Sequence, residues 1–261
     1  MKHIINNGKI SKLEGGESGE TFLVKYSGKK FVLRRYQTKK EADYYVSVYN
    51  KLKKYGFLPD LYFHEDKDIL MEYISGRDCK KSDALKVAEQ VGRICALISK
   101  LKIRSIFNKN KPLEPLLDIM KIKGIIGESS SQSLIKEYYG LKKRVKPKLS
   151  IDYDDVHPQN FRLRNGRVYL VDLEEFDLNF KGAGIAKSFL RWFKTDFERK
   201  NFLRGYAEIS SPDFLTQDYL KFLYLRFTIY IVAYKIKKNL DINPNDLDRL
   251  FRFINGKEVN K

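Results

Sequence analysis

Two cysteines, Cys79 and Cys95, and three histidines are all that 261 residues offer as soft metal ligands. So few, so scattered, exclude a disulfide framework and a structural zinc cluster, which need several such residues at short spacing. Long apolar runs are missing too. The longest, FTIYIVAY at 227–234, is far shorter than the roughly 20 residues a bilayer crossing requires, and it follows Arg226. The opening MKHIINNGKI has neither the apolar core nor the small-residue cleavage site of a secretory signal. No internal repeat and no long low-complexity tail is present. These absences predict a soluble, cytoplasmic protein.

Acidic residues are the other shortage, 33 against 51 Lys and Arg, a formal net charge of +18. With 43% hydrophobic and 13% aromatic residues the chain is too apolar for disorder and long enough for two lobes with a sizeable core. The charge is uneven. Residues 1–75 hold 14 basic and 10 acidic residues, whereas residues 99–148 hold 13 and 4, so half of the excess lies in under a fifth of the chain. Such a concentration favours a polyanion, nucleic acid or an anionic surface. A generic solubilising surface is the alternative.

Along the chain, KISKLEGG and TFLVKYSGKKFVLRRY within residues 9–36 alternate as strands about a tight SGK turn. Residues 38–56 form an amphipathic helix with Thr38 as N-cap, Glu41 three positions on and Gly56 as the stop. PDLYFHEDKDILMEYISG returns to strand character and ends at Ser75-Gly76, a hinge. Beyond Ser82, Val87, Val91, Ile94, Leu97, Ile98 and Leu101 recur at helical spacing. Residues 104–148 read as short helices broken at Pro112, Gly124, Gly127 and the serines of 129–133. A helical C-terminal third follows. The expected fold is α+β: a β-rich lobe over 1–75 with one main helix, and a mostly helical lobe over 76–261.

One acidic island interrupts the helical part, IDYDDVHPQNF at 151–161, followed by a hairpin, FRLRNGRVYLVDLEEF. Asn165-Gly166 is a strong two-residue hairpin signal. It pairs Arg164 with Arg167, Leu163 with Val168 and Phe161 with Leu170, and so brings Asn160 near Asp172. An Asp155, an Asn160 five residues later and an Asp172 closing the hairpin suit the divalent-metal end of a phosphoryl-transfer site. Oxygen ligands favour magnesium, which keeps water and shares the nucleotide phosphates. Asp155 would orient the attacking hydroxyl. A polar loop with coincidental spacing is the alternative.

YDDVHPQN and VYLVDLE resemble the catalytic and metal-binding segments of the aminoglycoside phosphotransferase and choline kinase families, which read H-G-D-x-H-P-x-N and then I-D-x-E. These are bilobal protein-kinase-like folds. The resemblance implies Asp155 as catalytic residue and Asn160 and Asp172 as magnesium ligands, with ATP as phosphate donor. Tyr153 stands where the families have histidine. Asp152 and Asp154 read as loop residues and His157 as loop support. Upstream, EGGESGETF resembles the families' phosphate-covering turn, which implies ATP contacts at Gly15, Gly16, Ser18 and Gly19. Arg34 occupies the position of the phosphate-binding lysine, and Glu41 would pair with it, unless capping is its whole role. ILMEYISGRD resembles the hinge strand, which implies adenine contacts at Glu72, Tyr73 and Ile74. The stretch KGAGIAKSF, 181–189, lacks the aspartate those families place after the metal site.

Aminoglycosides and choline are cations, and a segment of net +9 between hinge helix and catalytic loop would repel them. An anionic acceptor follows, with RNA the simplest. Lys142, Lys143, Arg144, Lys146, Lys148, Arg162, Arg164, Arg167, Lys235, Lys237 and Lys238 are the candidate RNA-binding residues. Tyr138, Tyr139 and Trp192 are aromatics able to stack on bases or to fill a core. Size, charge and fold also resemble archaeal tRNA kinases that phosphorylate a ribose 2′-hydroxyl, which makes tRNA the expected partner. Two other readings stay open: a small-molecule kinase for a neutral or anionic acceptor, and a non-catalytic kinase-like RNA-binding protein.

Overall fold

Period-two alternation shapes the first quarter of the chain. The computed structural model describes residues 2–13, 19–103, 108, 110–172 and 176–257. A short α1 (Lys2–Asn7) precedes β1 (Lys9–Lys12), β2 (Gly19–Tyr26), β3 (Lys29–Tyr36), α2 (Lys39–Leu52), β4 (Leu61–Glu65) and β5 (Asp68–Glu72). The strands form one antiparallel sheet in the order β1-β2-β3-β5-β4. On one face Phe31 and Leu33 join Val24, Leu70 and Ile4 of α1 in a small apolar cluster. On the other face Tyr36 packs with α2 in the cluster that runs on into the helical lobe. The helix starts where Thr38 and Glu41 exchange side-chain and backbone hydrogen bonds in a capping box.

After residues 73–76 the chain enters the second lobe through β6 (Arg77–Asp78), α3 (Ala84–Ser99), α4 (Glu114–Ile122) and α5 (Glu128–Val145). The serines expected to break this region instead form the first turns of α5, whose apolar contacts come later at Leu134, Tyr138 and Leu141. Then come β7 (Leu149–Tyr153), β8 (Phe161–Arg164), β9 (Arg167–Leu170) and β10 (Phe176–Phe180). They are followed by α6 (Ala183–Arg191), α7 (Asp196–Ala207), α8 (Gln217–Lys237) and α9 (Pro244–Ile254). The β8–β9 register is the expected one, with Asn165 and Gly166 both at positive φ. β6 adds to its edge. β10, which pairs with β7, is an element the sequence reading lacks; Phe176 and Phe180 are buried by that pairing. Among the described residues no helix is long and apolar enough to cross a membrane.

Helices α3 and α7 approach each other through glycine. A Cβ at Gly205 would collide with the Glu89 carbonyl oxygen, and one at Gly92 with that of Phe202. Both collisions are with backbone, which cannot step aside as a side chain can. Gly205→Ala is expected to destabilise the chain by about 3 kcal/mol, the upper end of the usual overpacking cost. The urea unfolding midpoint checks it, and an unchanged midpoint would show that the helices separate freely.

Candidate active site

Strand β7 delivers the chain to Tyr153, and a loop closed by one 3₁₀ turn at Pro158–Asn160 returns it to β8. Within that loop the Asn160 side-chain Nδ2 donates to the Asp155 backbone oxygen (2.9 Å) and to Asp155 Oδ2 (2.6 Å). The other oxygen, Oδ1, lies 3.2 Å from Lys187 Nζ of α6. Burial acts to raise the Asp155 carboxyl, but Lys187 and Asn160 outweigh it and hold the group below its ordinary range. It is therefore a carboxylate at neutral pH, as a proton acceptor must be. Burial also pushes the nearby His157 down; Arg191, Lys81 and Lys187 add to that, against the pull of Asp155.

The far end of the hairpin meets the same loop. Val171 N–H donates to the Asn160 carbonyl (2.9 Å), which carries the chain directly to Asp172. Because Asn160 Nδ2 is directed at Asp155, its Oδ1 is the atom left to face a cation. The Asp172 side chain is about a third exposed, at 34%. Among the described residues no three His, Cys, Asp or Glu side chains are grouped to hold a metal alone. Two oxygen donors fit magnesium, which completes its shell with water and nucleotide phosphates, and do not fit a transition-metal cage. Arg34, only 5% exposed in the middle of β3, places Nη1 3.2 Å from Asp172 Oδ1. A carboxylate and a guanidinium from opposite lobes thus meet at the cleft. Tyr44 of α2 ties the lobes further by donating to the Phe176 carbonyl (2.7 Å).

Two departures from the family pattern have physical replacements. Tyr153, buried between Phe161 and Phe176, donates its hydroxyl to the Asp172 carbonyl at 2.9 Å. It supports the Asp172 end of the hairpin from the position where the resembling families have histidine. Tyr153→Phe keeps the ring packing and removes that bond, so a loss of about 1 kcal/mol in stability is expected, with nucleotide affinity falling several-fold. A thermal midpoint and an ADP titration check both. The segment 181–189, which has no aspartate of its own, is anchored by one from β7. Asp152, read from sequence as a loop residue, is buried in β7, and its carboxylate accepts the Gly182 (2.6 Å) and Gly184 (3.1 Å) N–H groups at the start of α6. Burial, the largest influence, pushes the Asp152 carboxyl up to about 7 against these bonds. Gly184 is required because a Cβ there would overlap the Tyr153 carbonyl oxygen. The helix is thereby pressed against β7.

The other expected site residues divide between the cleft and its surroundings. Gly15, Gly16 and Ser18 lie outside the described residues; Gly19 opens β2 opposite Tyr36, two positions from the Thr21–Arg34 pair. Glu41 does not reach Arg34: its carboxylate accepts the Thr38 N–H in the capping box, and Arg34 turns to Asp172 instead. Tyr73 and Ile74 follow the end of the β5 ladder. Glu72 accepts from Arg164 (2.8 Å).

The candidate RNA-binding residues do not form one surface. Arg162 bonds the Gly76 carbonyl and Asp78 at the hinge, and Arg164 is held by Glu72 over the Tyr169 ring, which Arg167 also approaches. Arg162 and Arg164 therefore brace the hinge. Lys142 lies against the rings of Tyr138, Tyr139 and Phe180, and Lys143 is its neighbour on α5. Lys235 donates to the Asp241 carbonyl beyond α8, close to Lys237 and Lys238. Arg144, Lys146 and Lys148 do come together, joined by Lys181 in a cleft at the start of β7. Tyr138 and Trp192 are buried, which decides for the core between their two readings; Tyr139 is exposed with its hydroxyl on Glu114. Lys187 is the site residue that sequence reasoning misses. Its one signal is a lysine inside the apolar run GIAKSF, too weak to identify a partner 32 residues away.

No protein-family model and no curated protein matches the sequence. Solved structures do. Choline kinase LicA from Streptococcus pneumoniae superposes with a TM-score of 0.67 at 18% identity over 95% of this chain and 93% of its own. Plasmodium vivax ethanolamine kinase gives 0.67 at 14% over 98% and 82%. The ADP-bound aminoglycoside phosphotransferase APH(2'')-Ib gives 0.66 at 14% over 97% and 96%. With the strand-rich lobe, the catalytic loop and the hairpin in matching order, the chain has the bilobal protein-kinase-like fold of choline kinases and aminoglycoside phosphotransferases.

Proposed function

We propose that the protein is an ATP-dependent phosphotransferase whose acceptor is a hydroxyl on an anionic, phosphate-bearing molecule, with RNA, and tRNA in particular, as the leading candidate. The observation that carries the enzymatic part is the junction where Asp155, held by Asn160 and Lys187, adjoins Asp172, held by Arg34. The acceptor proton passes to Asp155 as the hydroxyl oxygen bonds to the γ-phosphorus and the bond to the ADP oxygen breaks. Arg34 gives a forked guanidinium for phosphate oxygens. Magnesium, bound by Asn160 and Asp172, would neutralise charge on the phosphates. The hydrogen bond from Tyr153 and the helix anchor of Asp152 stand in for the two family features whose absence favours a non-catalytic scaffold.

Charge supports the acceptor class. Lys187, Arg191 and Lys81 surround the loop of Asp155 and His157, a field unsuited to a cationic substrate. The Arg144, Lys146, Lys148 and Lys181 cleft lies at the opposite end of β7, about 17 Å away for five extended residues. A polynucleotide could span that distance, with phosphates gripped at one end and a ribose hydroxyl presented at the other. A second reading has its own support. A small cavity of about 40 Å³ lined by Asp154, Asn179, Leu223, Arg226, Phe227 and Tyr230 adjoins the loop, where the hydroxyl end of a small acceptor could enter.

The test is transfer of γ-labelled phosphate from ATP to bulk tRNA, run beside a panel of polyols and sugar phosphates. Label in tRNA that disappears in Asp155→Ala and Asp172→Ala, and falls steeply with salt, is expected. Label confined to the small acceptors would replace RNA with the second reading.

A further inference from the structure

Lys187 is an unusual lysine. It lies on α6 among the buried residues Ile185, Ala186, Ser188 and Phe189, and its own side chain is only 13% exposed. Its ammonium lies 5.8 Å from the centre of the Phe227 ring and 3.2 Å from Asp155 Oδ1. The helix that carries it is fixed at its start by the Asp152 carboxylate, so the ammonium is held in place by the same strand that delivers the catalytic loop. Asp155 Oδ2 accepts from Asn160, which leaves Oδ1 to take a proton from an acceptor. A hydroxyl bonded to Oδ1 must therefore arrive beside the Lys187 ammonium.

We infer that Lys187 is a catalytic residue, a cation whose ammonium bridges Asp155 Oδ1 and a non-bridging oxygen of the phosphoryl group in flight. The inference rests on the phosphotransferase reading above and assigns a residue to it. An ammonium has three protons to donate, so one can stay on Asp155 while another meets the phosphoryl oxygen. The transferring group carries its charge on three equatorial oxygens, where a preorganised donor acts most strongly. In the reaction the acceptor O–P bond forms, the bond from the γ-phosphorus to the bridging oxygen of ADP breaks, and the acceptor proton goes to Oδ1. Lys187 keeps its own protons throughout. The site is then cationic from both sides, with Arg34 on the carboxylate of the donor side and Lys187 on that of the acceptor side. A merely structural role explains less. Removing one partner of so shielded a pair costs stability whatever its role, and only a part in the reaction explains an ammonium on the carboxylate oxygen that faces the acceptor.

The experiment needs no acceptor. Wild type, Lys187→Met and Lys187→Arg are titrated with ADP and magnesium, with and without aluminium fluoride as the phosphoryl mimic. Transition-state analogues bind far more tightly than ground-state ligands. Aluminium fluoride is expected to tighten ADP binding to wild type, and Lys187→Met is expected to lose about 10–100-fold of that gain while binding ADP alone within about twofold of wild type. Lys187→Arg should fall between. Equal tightening in wild type and Lys187→Met overturns the inference and leaves the phosphotransferase reading standing. A wild-type chain that binds no ADP overturns both. Lys187→Gln supplies the same comparison where the Met variant fails to fold.

Discussion

Asp155→Ala is expected to lower phosphoryl transfer by about 10²–10⁴-fold, the span that a positioned general base contributes, while ADP affinity stays within a few-fold of wild type. The separation follows from the geometry. The Asp155 side chain pairs with Lys187 and with the Asn160 amide nitrogen, which leaves Asn160 Oδ1 for the metal, and Arg34 is held by Asp172 instead. Asp155→Asn keeps the shape and an oxygen for Lys187, but cannot take a proton, and so should be nearly as slow. Asp172→Ala should behave differently, because it removes the proposed magnesium ligand and a partner of Arg34 together. It should weaken nucleotide binding as well as transfer. Single-turnover transfer and ADP titration on the same preparations distinguish the two patterns. A loss below about tenfold in Asp155→Ala would show that the carboxylate takes no part in the chemical step.

The second large effect concerns stability and pH. Asp152 is buried, and its carboxyl is pushed up from an ordinary 3.8 to about 7. A group whose folded pKa is raised binds its proton more tightly in the folded chain. Its contribution is fully present below about pH 4 and is lost as pH rises through about 7. Across that window the unfolded chain releases the proton first, so the wild type loses stability with rising pH. Each tenfold change in proton affinity is worth about 1.4 kcal/mol, which sets an upper scale of about 4 kcal/mol for the whole window. Asp152→Asn does not titrate. The wild type should therefore lose a few kcal/mol relative to Asp152→Asn between about pH 4 and pH 7, read from urea unfolding at constant ionic strength. Parallel curves would mean that the carboxyl titrates alike in both states. Asp152→Ala, which leaves the Gly182 and Gly184 N–H groups without their acceptor, should be destabilised at every pH in the series.

Short-range chemistry is the part of this fold that the sequence displays. Asn165-Gly166 admits one hairpin geometry, and its register alone brings Asn160 to the Asp172 end. Thr38 and Glu41 settle the start of α2 between themselves. The order of turn, strand cation, hinge and acidic loop is enough for the two-lobe fold. The contacts that stay hidden depend on partners far along the chain. Asp152 meets backbone 30 residues later, Lys187 meets a carboxylate 32 residues earlier, and Arg34 meets one 138 residues later. None of these pairs has a fixed spacing that a sequence could display. The hairpin arginines mislead for the same reason: their charge is visible, but Glu72, Asp78 and the Gly76 carbonyl that receive it lie on the hinge. The serine run at 129–131 reads as a break because serine favours helix starts and turns alike. Only the burial of Leu134, Tyr138 and Leu141 shows that it opens α5.

The central claim is that the junction of the lobes is a magnesium-nucleotide site assembled from Arg34, Asn160 and Asp172. Calorimetric titration of wild type and Asp172→Ala with ATP, each with and without magnesium, tests it most directly. The account predicts one site per chain in wild type, tightened at least about tenfold by magnesium, with that gain lost in Asp172→Ala. Absence of ATP binding, or binding indifferent to both magnesium and Asp172, would contradict it.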